Sequence, residues 1–345
     1  MTMIDSQVEE SALRVLKDHA EPATVEAAEA GTWPAALWTA VTEAGLHTAL
    51  DDGFEGLGGA AAIARAVGAN PAPIPLIETI MVRGLGSAAG LTVPEGPLTL
   101  APPRFAEVKL SGGRLKGSIT GVPFGRWCGH VAVATDGQLA LVPAKGIKWT
   151  HGTNTAGEPL DSADIDVTLA AGACAKLALD ADALGALLRA MQLAGGMRAA
   201  LALTLQYAND RVQFGRSIGK FQAIQHGIAI MAENVAAADT AANQALRLWG
   251  TPSQRIYLAA AKIRCGEAAG LSAETAHQVH GAIGFTREHR LHHVTRRLWS
   301  WRDEFGHEGD WAIELGRTTL AQGAEGLWPL VTGADQATQT AGARS

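Results

Sequence analysis

Apolar positions recur at helical spacing near the start of the chain. Val8, Leu13, Val15 and Leu16 come first, then Trp38, Val41 and Leu46, a pattern that predicts amphipathic helices. A Gly/Ala-rich stretch over residues 56–67 continues as helix, weakened by its glycines. Asn70-Pro71-Ala72-Pro73-Ile74-Pro75 must break it, because proline lacks the amide donor and restricts the residue before it. A further helix is predicted over residues 76–89, so residues 1–95 read as an α-helical domain.

The period then changes. Between residues 96 and 175, short apolar runs (98–100, 131–134, 139–142) alternate with Gly, Asp and Pro. Leu110-Ser-Gly-Gly-Arg-Leu115 and Ala134-Thr-Asp-Gly-Gln138 read as hairpins, since Gly and Asp tolerate turn dihedrals. This is expected to be a small antiparallel β domain.

From residue 176 to 325 the chain returns to helix, in segments longer than the usual ~11 residues. Helices are predicted over 184–209, 221–249 and 254–279, with wide apolar arcs suited to a four-helix bundle. Asp180 and Asp182 are expected to cap the first of these. Residues 326–345 are expected to form a disordered tail, small and polar from Gly333 onward. The fold class is therefore α+β, mainly α: helical domain, small β domain, helical bundle.

Bulk properties narrow the function. The 345 residues carry a net charge of -6, which offers no basic field for nucleic acid. No stretch approaches the ~20 apolar residues of a membrane span, and Met1–Glu10 lacks the features of a signal peptide. Cys128, Cys174 and Cys265 are scattered and fit buried thiols in a reducing cytoplasm. His289, His292 and His293 lack the spacing of a metal site with a third ligand, and no metal is expected.

Two segments carry chemistry. Tyr207 to His226 places Arg211, Gln213, Phe214-Gly215 and Phe221-Gln222 between two long helices. Arg211 could bind a diphosphate, the amides could bond a ribose or base, and the two rings could pack on an adenine. Taken alone, it is also what an ordinary corner looks like, with Arg211 paired to a carboxylate and both Phe residues in the core. The second segment is Gln278-Val279-His280-Gly281-Ala282-Ile283-Gly284-Phe285. Its glycines let a backbone approach an anionic ligand, and equally well cap a helix.

In this order the two segments resemble the C-terminal bundle of the acyl-CoA dehydrogenases. That family has an Arg-x-x-Phe-Gly corner, a Phe-Gln about ten residues on, and a later Gln-x-x-Gly-Gly-x-Gly-Phe turn. The stretch at residues 68–75 and the β region at 115–142 resemble the family's other domains. The resemblance implies FAD as cofactor, its ADP part held across a subunit interface. It makes Arg211, Gln213, Phe214, Gln222, Gln278, Val279, His280 and Gly281 the expected contacts. His280 stands where the family varies.

The chain departs from the family at three places. The family's catalytic carboxylate removes the α-proton of an acyl-CoA while the flavin takes the β-hydride. It normally precedes a Gly about twenty residues after the Gly-Phe turn, where this chain has Phe305 before Gly306. Glu304 is adjacent but points about 100° away on a helix. A second location, a Glu-Arg pair opening the first bundle helix, reads Asp182-Ala-Leu-Gly185-Ala186 here. The Thr-Glu-Pro-Gly-Ser-like loop that binds the flavin ring is replaced by Leu98-Thr-Leu-Ala-Pro-Pro-Arg-Phe105.

These losses resemble the short subunit of the heteromeric α2β2 acyl-CoA dehydrogenases of actinobacterial steroid side-chain degradation. The likeness implies a longer partner subunit that supplies the base, an acyl-CoA substrate, and electron-transfer flavoprotein or a similar acceptor. Two alternatives stand beside it: a self-sufficient homo-oligomer using Glu304 as base, and a degenerate scaffold without flavin. The Arg/His-rich run 287–302 could face the CoA or FAD phosphates. Such runs are more often a solvated helix face, here paired with Asp303, Glu304 and Glu308, and that is the expectation.

Overall fold

A computed structural model describes residues 3–332 of the chain. Five helices open it: α1 (Met3–His19), α2 (Pro22–Glu29), α3 (Ala35–Glu43), α4 (Leu57–Ala69) and α5 (Leu76–Ala88). Helix α4 stops at Asn70, ahead of the Pro-rich run, whose own backbone bonds close short turns such as Ile74 N–H to Ala72 O. Both α4 and α5 are buried on nearly every face, which explains their Gly/Ala/Ile texture better than amphipathicity does.

Seven strands follow: β1 (Leu98–Ala101), β2 (Ala106–Ser111), β3 (Arg114–Pro123), β4 (His130–Thr135), β5 (Gln138–Pro143), β6 (Leu160–Thr168) and β7 (Cys174–Lys176). They form a four-stranded sheet in the order β1-β4-β5-β7 and a three-stranded sheet in the order β2-β3-β6. Both expected hairpins are present, Leu110 pairing Leu115 and Thr135 pairing Gln138. The domain is not wholly antiparallel, because β1 runs parallel to β4, Leu98 opposite His130. The crossover between them through β2 and β3 sends the chain back in the same direction. One face of the four-stranded sheet packs on β3 and β6 through Val131, Val133, Ala140 and Val142. The other joins the helical core through Leu98, Leu100, Leu139 and Leu141.

The bundle comprises α6 (Ala181–Asp210), α7 (Gln222–Arg247) and α8 (Gln254–His280), followed by α9 (Leu291–Trp301), α10 (Glu308–Ala321) and α11 (Gly323–Thr332). Asp180 caps α6, accepting from Ala183 N at 3.0 Å. Asp182 instead receives Arg104 Nε at 2.7 Å. Helices α4 and α6 cross in near backbone contact: a Cβ on Gly68 would lie 2.0 Å from the Gln192 carbonyl, and one on Gly195 would lie 2.1 Å from that of Arg65. Residues 326–332, placed in the expected tail, belong to α11; residues 333–345 lie outside the described ones. No helix among the described residues is long and apolar enough to cross a membrane.

Candidate functional site

Helix α6 ends at Asp210, and Arg211 leads into a two-strand ribbon, β8 (Val212–Gln213) and β9 (Arg216–Ser217). Its turn is Phe214-Gly215, at φ 51° and 78°, the left-handed pair that a tight hairpin requires. Phe214 is 91% exposed and Val212 59%, an unusual placement for apolar side chains at a turn apex. Arg211, Gln213, Gln222 and Gln278 are also exposed. Arg211 makes no ion pair with any described residue, so the plain-corner arrangement expected for it is not what forms. Phe221 meets Phe214 edge-on at 6.1 Å and carries Arg216 over its other contacts, 4.2 Å from the ring centroid.

Helix α8 ends at His280, and Gly281 takes φ 63° as the chain turns into a short 3-10 segment, Gly281–Phe285. This turn lies beside the corner, since Val279 packs with Ala208 and Ile228 in a small apolar cluster that also takes in Tyr207 and Ile224. The two segments, about sixty positions apart in sequence, therefore share one surface. Gln278 and Gly281 are on its exposed side; the side chains of Val279 and His280 are buried, 8% and 3% exposed. Only the backbone of those two could meet a ligand there.

The region of the family's catalytic carboxylate lies in the link between α9 and α10. Phe305 is 1% exposed, at φ 53°, with its ring against Gly185 of α6: a Cβ on Gly185 would be 2.3 Å from that ring. Phe305, aligned with the family's base, thus packs on the opening turns of α6, the stretch where the second family location falls. Glu304 turns away and receives Arg189 Nε at 2.7 Å. Arg189 also binds Glu78 of α5 and Gln192, forming a knot that burial seals. Burial pushes the Glu304 carboxyl above its usual range, against the pull of Arg189. Lys262, 1% exposed, donates to the carbonyls of Glu304 at 2.8 Å and Arg302 at 3.3 Å. Burial lowers its pKa to about 8. Sequence reasoning missed Arg189 and Lys262; a lone Arg and Lys inside apolar helical runs were the available signal.

Beside this link, between bundle and β domain, is a cavity of about 310 Å³ lined by Phe105, Pro123, Asn154, Leu160, Glu304 and Phe305. A single 3-10 turn, Pro103–Phe105, joins β1 to β2 next to it, and its Arg104 goes inward to Asp182. The Arg/His run does not form a solvated face. Arg297 is fully buried and bonds Glu158 of the β domain at 2.8 Å, while Arg296 bonds Glu29 of α2 at 2.6 Å. Only Arg302 keeps an expected partner, Glu308. The three domains meet at Glu29 and Glu158, which lie far from α9 in sequence.

Helical domain, β domain and bundle, with a glycine-ribbon corner beside a glycine turn, define the acyl-CoA dehydrogenase fold. Residues 176–302 match the family model described as acyl-CoA dehydrogenase, C-terminal domain. The chain is 30% identical over 303 residues to acyl-CoA dehydrogenase IpdE2 of Mycobacterium tuberculosis, spanning 84% of this chain and 88% of that protein. It is 29% identical over 299 residues to IpdE2 of Mycolicibacterium smegmatis, spanning 82% and 88%. Among solved structures, a chain of the ChsE4-ChsE5 complex from Mycobacterium tuberculosis superposes with TM-score 0.83 at 22% identity, covering 93% of this chain and 98% of that one. The chain belongs to the acyl-CoA dehydrogenase family, oxidoreductases that act on CH–CH bonds.

Proposed function

We propose that this chain is the short subunit of a heteromeric acyl-CoA dehydrogenase that forms an α,β-unsaturated acyl-CoA. In this reading it completes an FAD site whose catalytic carboxylate comes from a longer partner. The observation that carries it is Phe305, buried against Gly185 where the family places its base. A phenyl ring cannot accept a proton, and the neighbouring Glu304 is held by Arg189.

The cofactor's two ends fare differently. At the corner, Arg211 offers a planar fork to a diphosphate, Gln213, Gln222 and Gln278 offer amides, and Phe214 offers an uncovered ring. Gly281 lets the backbone come close. These residues fit an adenosine diphosphate group. The flavin end does not fit: the nearby cavity of about 310 Å³ is walled by Phe305, and Arg104 occupies the short connection that would face the ring. Bound FAD supplies hydride acceptance; this chain's part is to hold its ADP end and help keep water out.

Support for a heteromer also comes from the similarity to a ChsE4-ChsE5 complex and to a Tcur3481-Tcur3483 steroid ACAD variant. By the same analogy the substrate is a steroid side-chain CoA thioester, and the electrons pass to electron-transfer flavoprotein or a similar acceptor. The test is dehydrogenation of an acyl-CoA by this chain alone and by the chain co-expressed with a longer family member. Activity in the pair only is the expected result; activity of the chain alone contradicts it. One observation favours a second reading, in which Glu304 is the base: the residue lines the cavity, and burial holds its carboxyl above its usual pKa.

A further inference from the structure

The corner and the glycine turn belong to different helices, and a single dinucleotide can bridge them only if their separation is fixed. One side chain spans both. The His280 ring stacks on Tyr207 of α6, centroids 4.5 Å apart and planes 21° apart, four residues before Arg211. Its Nδ1 donates to the Ala276 carbonyl at 2.7 Å, closing the last turn of α8 directly before Gly281. The His289 ring, from the loop that leaves the glycine turn, meets the imidazole at 4.6 Å in a tilted contact and lies edge-on to Tyr207 at 6.2 Å. The side chain is 3% exposed and cannot itself touch a ligand on the corner surface.

A second histidine braces the other flank. His277, one turn earlier, stacks between Phe285 at 4.1 Å and Trp299 at 5.8 Å, and its Nε2 lies 2.8 Å from Thr295 Oγ1. A Cβ on Gly284 would stand 3.1 Å from the His277 ring nitrogen Nδ1 and 3.1 Å from the His280 Cβ, so the turn is packed closely against both residues. His277 ties the turn to α9; His280 ties it to α6 and the Arg211 corner, beside the apolar contact of Val279 with Ala208.

We propose that His280 is a positioning residue for the dinucleotide, which sets the distance between the Arg211 corner and the Gly281 turn through its stack on Tyr207. This inference rests on the FAD reading above.

The experiment uses the chain co-expressed with its longer partner, stripped of flavin and titrated with FAD by fluorescence. His280→Leu and Tyr207→Leu should each weaken FAD binding about fivefold or more, and the double variant should be no weaker than either single one. His280→Phe, which keeps the stack, should stay within about twofold of wild type. A folded His280→Leu or Tyr207→Leu complex that binds FAD as wild type does, or a double variant with additive losses, overturns the proposal. Because Tyr207 is only half-buried, its variant keeps the test decisive if the histidine variant does not fold. Arg211→Ala separates the two layers. If it too leaves FAD binding unchanged, the FAD reading fails; if it weakens binding while the stack variants do not, the positioning role alone fails.

Discussion

Phe305 and Glu304 sit side by side in one link and have opposite environments. The ring is sealed against Gly185, and the carboxylate is engaged by Arg189. If the partner supplies the base, Glu304→Gln in the complex should leave turnover within about twofold of wild type. A true general base would lose about 10²–10⁴. Gly185→Val should displace the ring and destabilise the fold by about 1–3 kcal/mol in thermal or denaturant melts. Glu29 permits a pH prediction. Burial would raise its pKa, but the bonds from His293 and Arg296, with the charge of Arg297, bring it down to about 2 from 4.5. A depressed carboxylate pKa stabilises the fold above the unfolded value. That contribution is present above about pH 4.5 and fades as the pH falls toward about 2. The melting-temperature gap between wild type and Glu29→Gln should therefore narrow as the pH is lowered from about 6 to about 3; a gap that widens contradicts the role assigned to Glu29. These residues also mark what the sequence made legible. The absence of a carboxylate at position 305 could be read directly. The partners of Arg189 and Arg297 could not, because Glu78, Glu304, Glu29 and Glu158 come from remote elements, and only folding brings them together.

At the scale of elements, the long helices, the proline break and both hairpins were legible because period and turn chemistry agree over many residues. The parallel pairing of β1 with β4 was not, since strand order depends on which sheet face the helices cover. Helix α11 escaped for a related reason: its Ala, Gly and Pro content resembles a tail locally, and its continuation from α10 decides otherwise. The α4–α6 crossing makes a sharper prediction. Gly68→Ala places a methyl group against the backbone carbonyl of Gln192, where no rotamer change can relieve it. The cost should be about 1–3 kcal/mol, read from denaturant unfolding; a neutral substitution would contradict so close an approach.

For the whole molecule, the corner presents exposed Phe214, Val212 and Phe285 together with Arg211, whereas the cavity of about 310 Å³ beside the link is lined by Phe305. On the proposed reading, the corner holds the diphosphate end of FAD and another chain holds the rest of the cofactor. The measurement that tests this most directly is the absorption spectrum of the chain purified alone and after co-expression with a longer family member. The account predicts a flavin band near ~450 nm in the pair and none in the isolated chain. A full flavin band in the chain alone would contradict it.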